Sequence, residues 1–513
     1  MNGAESLVHS LLKSGIDTCF ANPGTSEMHF VAALDRIPGI RCVLGLQENV
    51  VTGMADGYFR IARKPAATLL HCGPGLANGM ANLHNARRAR SGIVNVVGDQ
   101  ATYHRPHDAP LTADTDGMAR TVSHWVRTTA RSADVGRDAV QAVQAARSMP
   151  GQIATLILPS DASWDDGGAV ADPLAVPAPA AVDANAVETA ARALRGAGPV
   201  LLLLAGQGVL APAQALAWRI ARATGASLMA DYLSAHLARG KGRLQLARVP
   251  YNTDLAREVL APFKTIILVN AKPPVGFFAY PGKPSTQYAE DADLVMLSRP
   301  DQDATAALQA LVDALGAPPA DLPDPGLRPE APSGKVTSEG LAGAVAALMP
   351  EQSIVSDESV SYGRDFYPHT HAAPPHDWLH LAGGAIGDGL PVATGAAIGA
   401  GGQRRVISLQ ADGSAMYSLQ SLWTQAREKL PCTTIILSNR KYQILLGEYA
   451  NVGANPGRTA LDMLDLGNPD INWVQLANGM GVEAAVAQDL ETLCDLMRAS
   501  FAQPGPFLIE LAI

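Results

Sequence analysis

At 513 residues, 47% of them hydrophobic, the chain is long enough for about three domains of ordinary size. A formal net charge of −9 without any block of Lys or Arg argues against a nucleic-acid or anionic-membrane partner. No apolar run reaches the roughly 18 residues needed to span a bilayer. Met1-Asn2-Gly3-Ala4-Glu5 lacks the basic start and apolar core of a secretory signal, which predicts a soluble, cytoplasmic protein.

In chain order, residues 1–165 alternate two patterns. Helical spacing runs over 5–13, 27–34, 50–61 and 76–87; short apolar strands run over 18–20, 42–46, 67–71, 93–97 and 154–158. Alternation of this kind implies a parallel sheet with helices on both faces. Asp165-Asp166-Gly167-Gly168 and an Ala- and Pro-rich stretch through Ala181 read as a linker. A second α/β segment occupies 185–315. Its strand 199–204 leads into Gly206-Gln207-Gly208, which lacks the third glycine and later acid of a dinucleotide site and reads as a tight turn. A second proline-rich linker, 321–333, precedes 336–513, where the alternation returns. The expected fold class is α/β, with three doubly wound parallel-sheet domains.

Arg87-Arg88-Ala89-Arg90 is the densest basic cluster and reads as a solvated helix end. The five cysteines, Cys19, Cys42, Cys72, Cys432 and Cys494, lack metal-site spacing; three sit in apolar strand-like or helical surroundings, as reduced core thiols do, and Cys72, in a candidate site, reads as a small packing residue.

The most informative stretch is 406–443. A buried strand over 406–409 meets the turn Asp412-Gly413-Ser414, a helical pattern over 419–429 ends at Pro431, and a second strand over 433–437 leads to Asn439. Strand, helix, strand places the two strands side by side and parallel, so Asp412 and Asn439 meet at one edge. A carboxylate and an amide oxygen there are hard ligands suited to Mg²⁺, and the turn's backbone N–H groups suit a diphosphate.

Asp-Gly-Ser, a helix, then Asn at this distance resembles the diphosphate and Mg²⁺ motif of the thiamine diphosphate (ThDP) enzymes, the superfamily of acetolactate synthase, benzoylformate decarboxylase and pyruvate oxidase. The resemblance implies Asp412, Asn439 and the Lys441 carbonyl as metal ligands, with Gly413, Ser414 and Tyr442 at the cofactor. Ala411 stands where the family usually has Gly. The two linkers resemble the family's layout of pyrimidine-binding, central and diphosphate-binding domains, here 1–165, 185–315 and 336–513.

Further residues follow from the same resemblance. The cofactor's C2 proton is removed by its own 4′-amino group when a carboxyl holds the pyrimidine N1′. Glu48, which opens a small, mostly apolar helix, resembles that acid. In Ala382-Gly383-Gly384-Ala385-Ile386-Gly387-Asp388-Gly389-Leu390-Pro391, Ile386 resembles the residue that bends the cofactor, with Gly384 and Ala385 beside it. Ser359 and Ser361 lie in a segment resembling a diphosphate contact. Asn22-Pro23-Gly24-Thr25 resembles the benzoylformate decarboxylase loop whose hydroxyl, here Thr25, contacts the substrate carboxylate. Leu70-His71-Cys72-Gly73 resembles that family's His-bearing loop, and His71 is a candidate proton shuttle.

Departures matter too. The central-domain histidine of benzoylformate decarboxylase has no counterpart in Pro274-Val275-Gly276-Phe277-Phe278-Ala279-Tyr280, Pro110-Leu111 stands where acetolactate synthases carry Phe-Gln, and the paired histidines of pyruvate decarboxylase are missing. The resemblance implies a ThDP- and Mg²⁺-dependent 2-oxo acid decarboxylase or carboligase forming an enamine at C2 after CO₂ loss. Proton delivery to release an aldehyde is preferred because of His71. The alternatives are acetolactate synthase-like condensation of pyruvate and an FAD-dependent oxidase, for which the central segment offers no flavin signature. Phe277, Phe278, Tyr280, Ile444 and Leu445 are expected at a substrate pocket. The family builds its site between the first domain of one subunit and the third of another, so at least a homodimer, and a dimer of dimers, is expected.

Overall fold

A computed structural model describes residues 1–513 and contains three sheets. The first runs Arg41–Leu44, Thr18–Ala21, Ala66–Leu70, Ile93–Asp99, Ile153–Pro159, Trp125–Thr128, parallel throughout. Its central strands are buried along their whole length because helices cover both faces. Leu7, Leu11 and Val135 belong to one covering layer; Val50, Val51 and Leu83 belong to the other. The chain leaves Thr18–Ala21 toward one side and returns on the other at Ala66–Leu70. This reversal opens a crevice at the carboxyl ends, where open α/β sheets hold ligands.

The central sheet orders Ala247–Arg248, Ser227–Ala230, Val200–Leu204, Thr265–Val269 and Asp293–Ser298, also parallel. Gly206-Gln207-Gly208 forms a tight turn into the helix Ala211–Thr224, as its incomplete motif implies.

The third sheet runs Glu483–Ala487, Phe507–Ala512, Cys432–Ser438, Val406–Ala411, Ile354–Glu358, His376–His380, His236–Arg239. Six of these strands are parallel, but His236–Arg239 is antiparallel to His376–His380, so the third sheet is mixed. This edge strand comes from the central segment, covers an otherwise open edge, and is pinned by Arg239, which donates to the Tyr367 carbonyl at 2.6 Å and lies over its ring at 3.8 Å. The sheet reverses direction between Ile354–Glu358 and Val406–Ala411, repeating the crevice of the first sheet.

The helix Glu48–Ala62 packs on the helix Gly389–Gly399 through small residues. A Cβ on Gly395 would fall 1.9 Å from the Met54 carbonyl oxygen, and one on Gly57 would fall 2.1 Å from that of Val392. Only hydrogen fits at these contacts. The packing sets the starts of the two helices side by side. Arg60, 2% exposed, donates to Asp56 at 2.8 Å and to the His380 carbonyl at 2.9 Å, and lies 3.7 Å from Asp388. Burial holds the Asp388 carboxyl well above the ordinary carboxylate range. No helix is long and apolar enough to cross a membrane.

Candidate active site

Three loops leave adjacent strands at the carboxyl edge of the first sheet. Glu48 is the first residue of its helix because Gln47 caps it, the Gln47 side chain accepting from the Asn49 and Val50 N–H groups. The Glu48 side chain is 7% exposed and accepts from Asn78 Nδ2 at 3.0 Å. Gly75 makes room for it: a Cβ there would lie 3.0 Å from Glu48 Oε1 and 3.3 Å from the Cβ of His71. The candidate acid and the candidate proton shuttle are therefore neighbours across one glycine.

His71 immediately precedes the helix Cys72–Ala89, which begins four residues earlier than its apolar spacing predicts. Its Nδ1 lies 3.0 Å from Glu27 Oε2, and Glu27 also accepts from the Gly24 N–H at 2.8 Å. A carboxylate only accepts, so Nδ1 carries the hydrogen and Nε2 is left with a free lone pair. Glu27 is 2% exposed. Sequence reading missed it, although Gly24-x-x-Glu27 has the spacing of a capping box, which the structure forms.

Thr25, expected at the substrate, is exposed at the rim, whereas Ser26 Oγ reaches His71 Nδ1 at 3.3 Å and Cys72 Sγ at 3.1 Å. Cys72 is buried, and burial pushes its thiol up to about 11. Asn22 is half-buried and fixed by its backbone to the Leu69 carbonyl; Pro23 is exposed and Gly24 half-buried.

Four loops converge on the third sheet's carboxyl edge. Loop 381–388 turns through Gly384 at φ +80° and Gly387 at φ +94°, where glycine is favoured. The buried Glu358 carboxylate grips it by accepting from the N–H groups of Gly387 at 2.7 Å, Asp388 at 3.3 Å and Gly389 at 2.9 Å. Burial pushes Glu358 up to about 7, against these three donors. Asn85 of the first domain donates to the Ala385 carbonyl at 2.7 Å and accepts from its N–H at 3.1 Å, and Asn82 donates to the Gly387 carbonyl at 3.1 Å. Ile386, half-buried, is thus held on a loop fixed from both sides. Neither Glu358 nor the asparagines could be assigned these roles from sequence.

Asp412 opens a short helix and is 2% exposed. It accepts from the Gly413 N–H at 2.8 Å and, across the sheet edge, from the Arg440 N–H at 2.6 Å. Burial raises its carboxyl. Asn439 Oδ1 accepts from the Lys441 N–H at 3.0 Å. Asp412 and Asn439 follow neighbouring strands whose register pairs Ala411 with Leu437, so the expected juxtaposition is met. Tyr442 lies over Gly413, where a Cβ would meet its ring at 2.4 Å, and Ser414 is buried in the same turn. A cavity of about 530 Å³ adjoins the motif, lined by Asn439, Lys441, Leu446 and Asp465 among others. Ser359 Oγ is engaged by Asp357 at 2.5 Å, while Ser361 is half-buried.

Of the expected pocket residues, Phe277 reaches loop 381–388 and packs edge-on against Phe278. Phe277 abuts Gly384, where a Cβ would sit 2.5 Å from its ring. Tyr251 and Tyr280 donate to Glu448 at 3.1 and 2.9 Å, tying the central segment to the helix Gln443–Val452 that carries Ile444 and Leu445. An acid at one crevice, hard oxygen ligands at the other and a rigid loop between them fit a cofactor with a ring at one end and a diphosphate at the other.

Comparison with known proteins agrees. Residues 1–119 match the thiamine pyrophosphate enzyme N-terminal TPP binding domain, and residues 361–511 match the corresponding C-terminal TPP binding domain. This chain belongs to the thiamine diphosphate enzyme family. It is 49% identical, over 100% of its length and 99% of the other's, to a Mycobacterium tuberculosis protein provisionally named acetolactate synthase large subunit IlvX. It is 30% identical to benzoylformate decarboxylase of Pseudomonas aeruginosa, covering 98% and 97% of the two chains. The Rhodococcus jostii thiamine diphosphate-dependent 4-hydroxybenzoylformate decarboxylase superposes with a TM-score of 0.83 at 26% identity, covering 99% of this chain and 98% of that one.

Proposed function

We propose that this ThDP enzyme is a Mg²⁺-dependent 2-oxo acid decarboxylase that releases an aldehyde. The carrying observation is the placement of Glu48 and His71 around Gly75, with His71 tied to Glu27. ThDP, when bound, supplies a nucleophilic carbon that takes the 2-oxo carbonyl and accepts the electron pair left when CO₂ departs. Glu48 holds a proton at the pyrimidine nitrogen. Asp412, Asn439 and the Lys441 carbonyl would hold Mg²⁺, the Gly413-Ser414 turn would meet the diphosphate, and Ile386 with Gly384 would support the ring. His71, its tautomer fixed by Glu27, would take a proton from solvent at Nε2 and pass it to the carbon that lost CO₂, with Thr25 facing the substrate carboxylate at the rim. A homodimer, assembled further as a dimer of dimers, completes the site.

The test is a panel of 2-oxo acids with added ThDP and Mg²⁺, following CO₂ and product together. The expected outcome is one aldehyde per CO₂. A second reading, carboligation of pyruvate, draws on the likeness to the M. tuberculosis protein. Acetolactate as the main product, with two pyruvates consumed per CO₂, would select it and overturn the first.

A further inference from the structure

We propose that Glu27, His71 and Cys72 form a binding site for a soft divalent cation of the Zn²⁺ type, separate from the Mg²⁺ motif. The carboxylate, imidazole and thiol present donor atoms all within 4.8 Å of one another. His71 Nδ1 lies 3.0 Å from Glu27 Oε2, and Ser26 Oγ stands 3.1 Å from Cys72 Sγ and 3.3 Å from His71 Nδ1, at a fourth corner. Zinc bonds of about 2.0–2.3 Å in a tetrahedron require donor separations of roughly 3.3–3.7 Å. The His71–Glu27 pair stands at 3.0 Å and the whole set within 4.8 Å, so binding needs side-chain shifts of about 1 Å.

Burial favours the site. Glu27 is 2% and Cys72 1% exposed, which shields the donors from water, while the His71 side chain, 22% exposed, leaves a way in. Sulfur and nitrogen ligands select Zn²⁺ or Cd²⁺ over Mg²⁺, which prefers oxygen. The bonds balance simply. Cys72 loses its thiol proton to solvent, and the imidazole hydrogen moves from Nδ1 to Nε2 as the Nδ1 lone pair takes the cation.

A consequence rests on the proposed role of His71. With the cation on Nδ1 and hydrogen on Nε2, the ring has no lone pair to receive a proton, and its bond to Glu27 is replaced. Occupancy therefore switches off proton delivery and makes the cation an inhibitor.

The test uses the full chain loaded with ThDP and Mg²⁺ and titrated with Cd²⁺, read by thiolate-to-metal charge-transfer absorption and, separately, by product formation. One equivalent per chain is expected to produce the absorption in wild type and in Cys42→Ser, which removes an exposed thiol elsewhere. Cys72→Ser and Cys72→Ala lose it, and Glu27→Gln weakens Cd²⁺ binding by at least about 10–100-fold. No absorption in wild type, or equal absorption in a folded Cys72 variant, overturns the site. Stoichiometric, Cys72-dependent uptake with product formation intact supports the site and instead removes His71 as the proton carrier.

Discussion

The first and third domains share one strand order around their crevices yet equip them differently. In the first, the acids at the carboxyl edge meet side chains, Glu48 with Asn78 and Glu27 with His71, and Glu27 holds the Gly24 N–H as well. In the third, acids are tied to backbone. Glu358 holds three N–H groups of loop 387–389, and Asp412 holds those of Gly413 and Arg440. A carboxyl partnered by polar side chains orients those side chains; one holding several backbone N–H groups orders the loop that carries them. The same sheet edge thus presents its acids mainly to side chains in one domain and to backbone N–H groups in the other.

The largest expected effect breaks this comparison at Glu48. Glu48→Gln keeps the size and the contact with Asn78 but cannot share a carboxyl proton. Exchange of the cofactor C2 proton, followed by NMR, should fall by about 10²–10⁴-fold while ThDP remains bound. Unchanged exchange would place the proton chemistry elsewhere.

Next is the buried ion group that joins the domains. Arg60→Met removes the one cation between Asp56 and Asp388, both nearly inaccessible. Leaving two buried carboxyls without it costs about 3–5 kcal/mol. The thermal midpoint of the purified variant reports the loss. A midpoint unchanged from wild type would mean that water already reaches these groups.

Much of this division was legible in the chain. Glu48, Asp412 and Asn439 stand where short apolar runs end, and a strand end is a local property. What could not be read depends on segments far apart in sequence. The grip of Glu358 on loop 387–389 needs a 30-residue excursion to close, and the antiparallel strand His236–Arg239 reads locally as part of the central segment. The strand Trp125–Thr128 was passed over because it is only half-buried and carries Arg127. Resemblance indicated Thr25, but its exposed side chain lies apart from the His71 cluster, which Ser26 enters.

Glu358 sharpens the comparison through pH. Burial raises its carboxyl to about 7 in the folded chain, against an ordinary 4.5. The folded state therefore binds more protons between these values. The group's contribution to stability is fully present below pH 4.5 and is lost as pH rises through 7, a swing on the order of 3 kcal/mol. Glu358→Gln should flatten the corresponding part of a plot of thermal midpoint against pH. A wild-type slope retained in the variant would assign it to another group, with the neighbouring Asp388 the first to test.

The smallest effect concerns the seam that aligns the two crevices. At Gly395 an added methyl meets the Met54 backbone at 1.9 Å, and a carbonyl in a packed helix cannot rotate away as a side chain can. Gly395→Ala should push the helices apart at a cost of about 1–3 kcal/mol. Because both helices begin at the site, ThDP affinity should fall with stability. Gly447→Ala provides the control, since a Cβ there meets nothing within 4 Å and the residue lies inside the helix Gln443–Val452. It should be neutral or stabilising by up to about 1 kcal/mol. If Gly395→Ala lowered the thermal midpoint yet left ThDP affinity untouched, the seam would hold the fold together without setting the spacing of the site. A parallel loss of both would tie the small residues of that seam to the geometry on which the Glu48 chemistry depends.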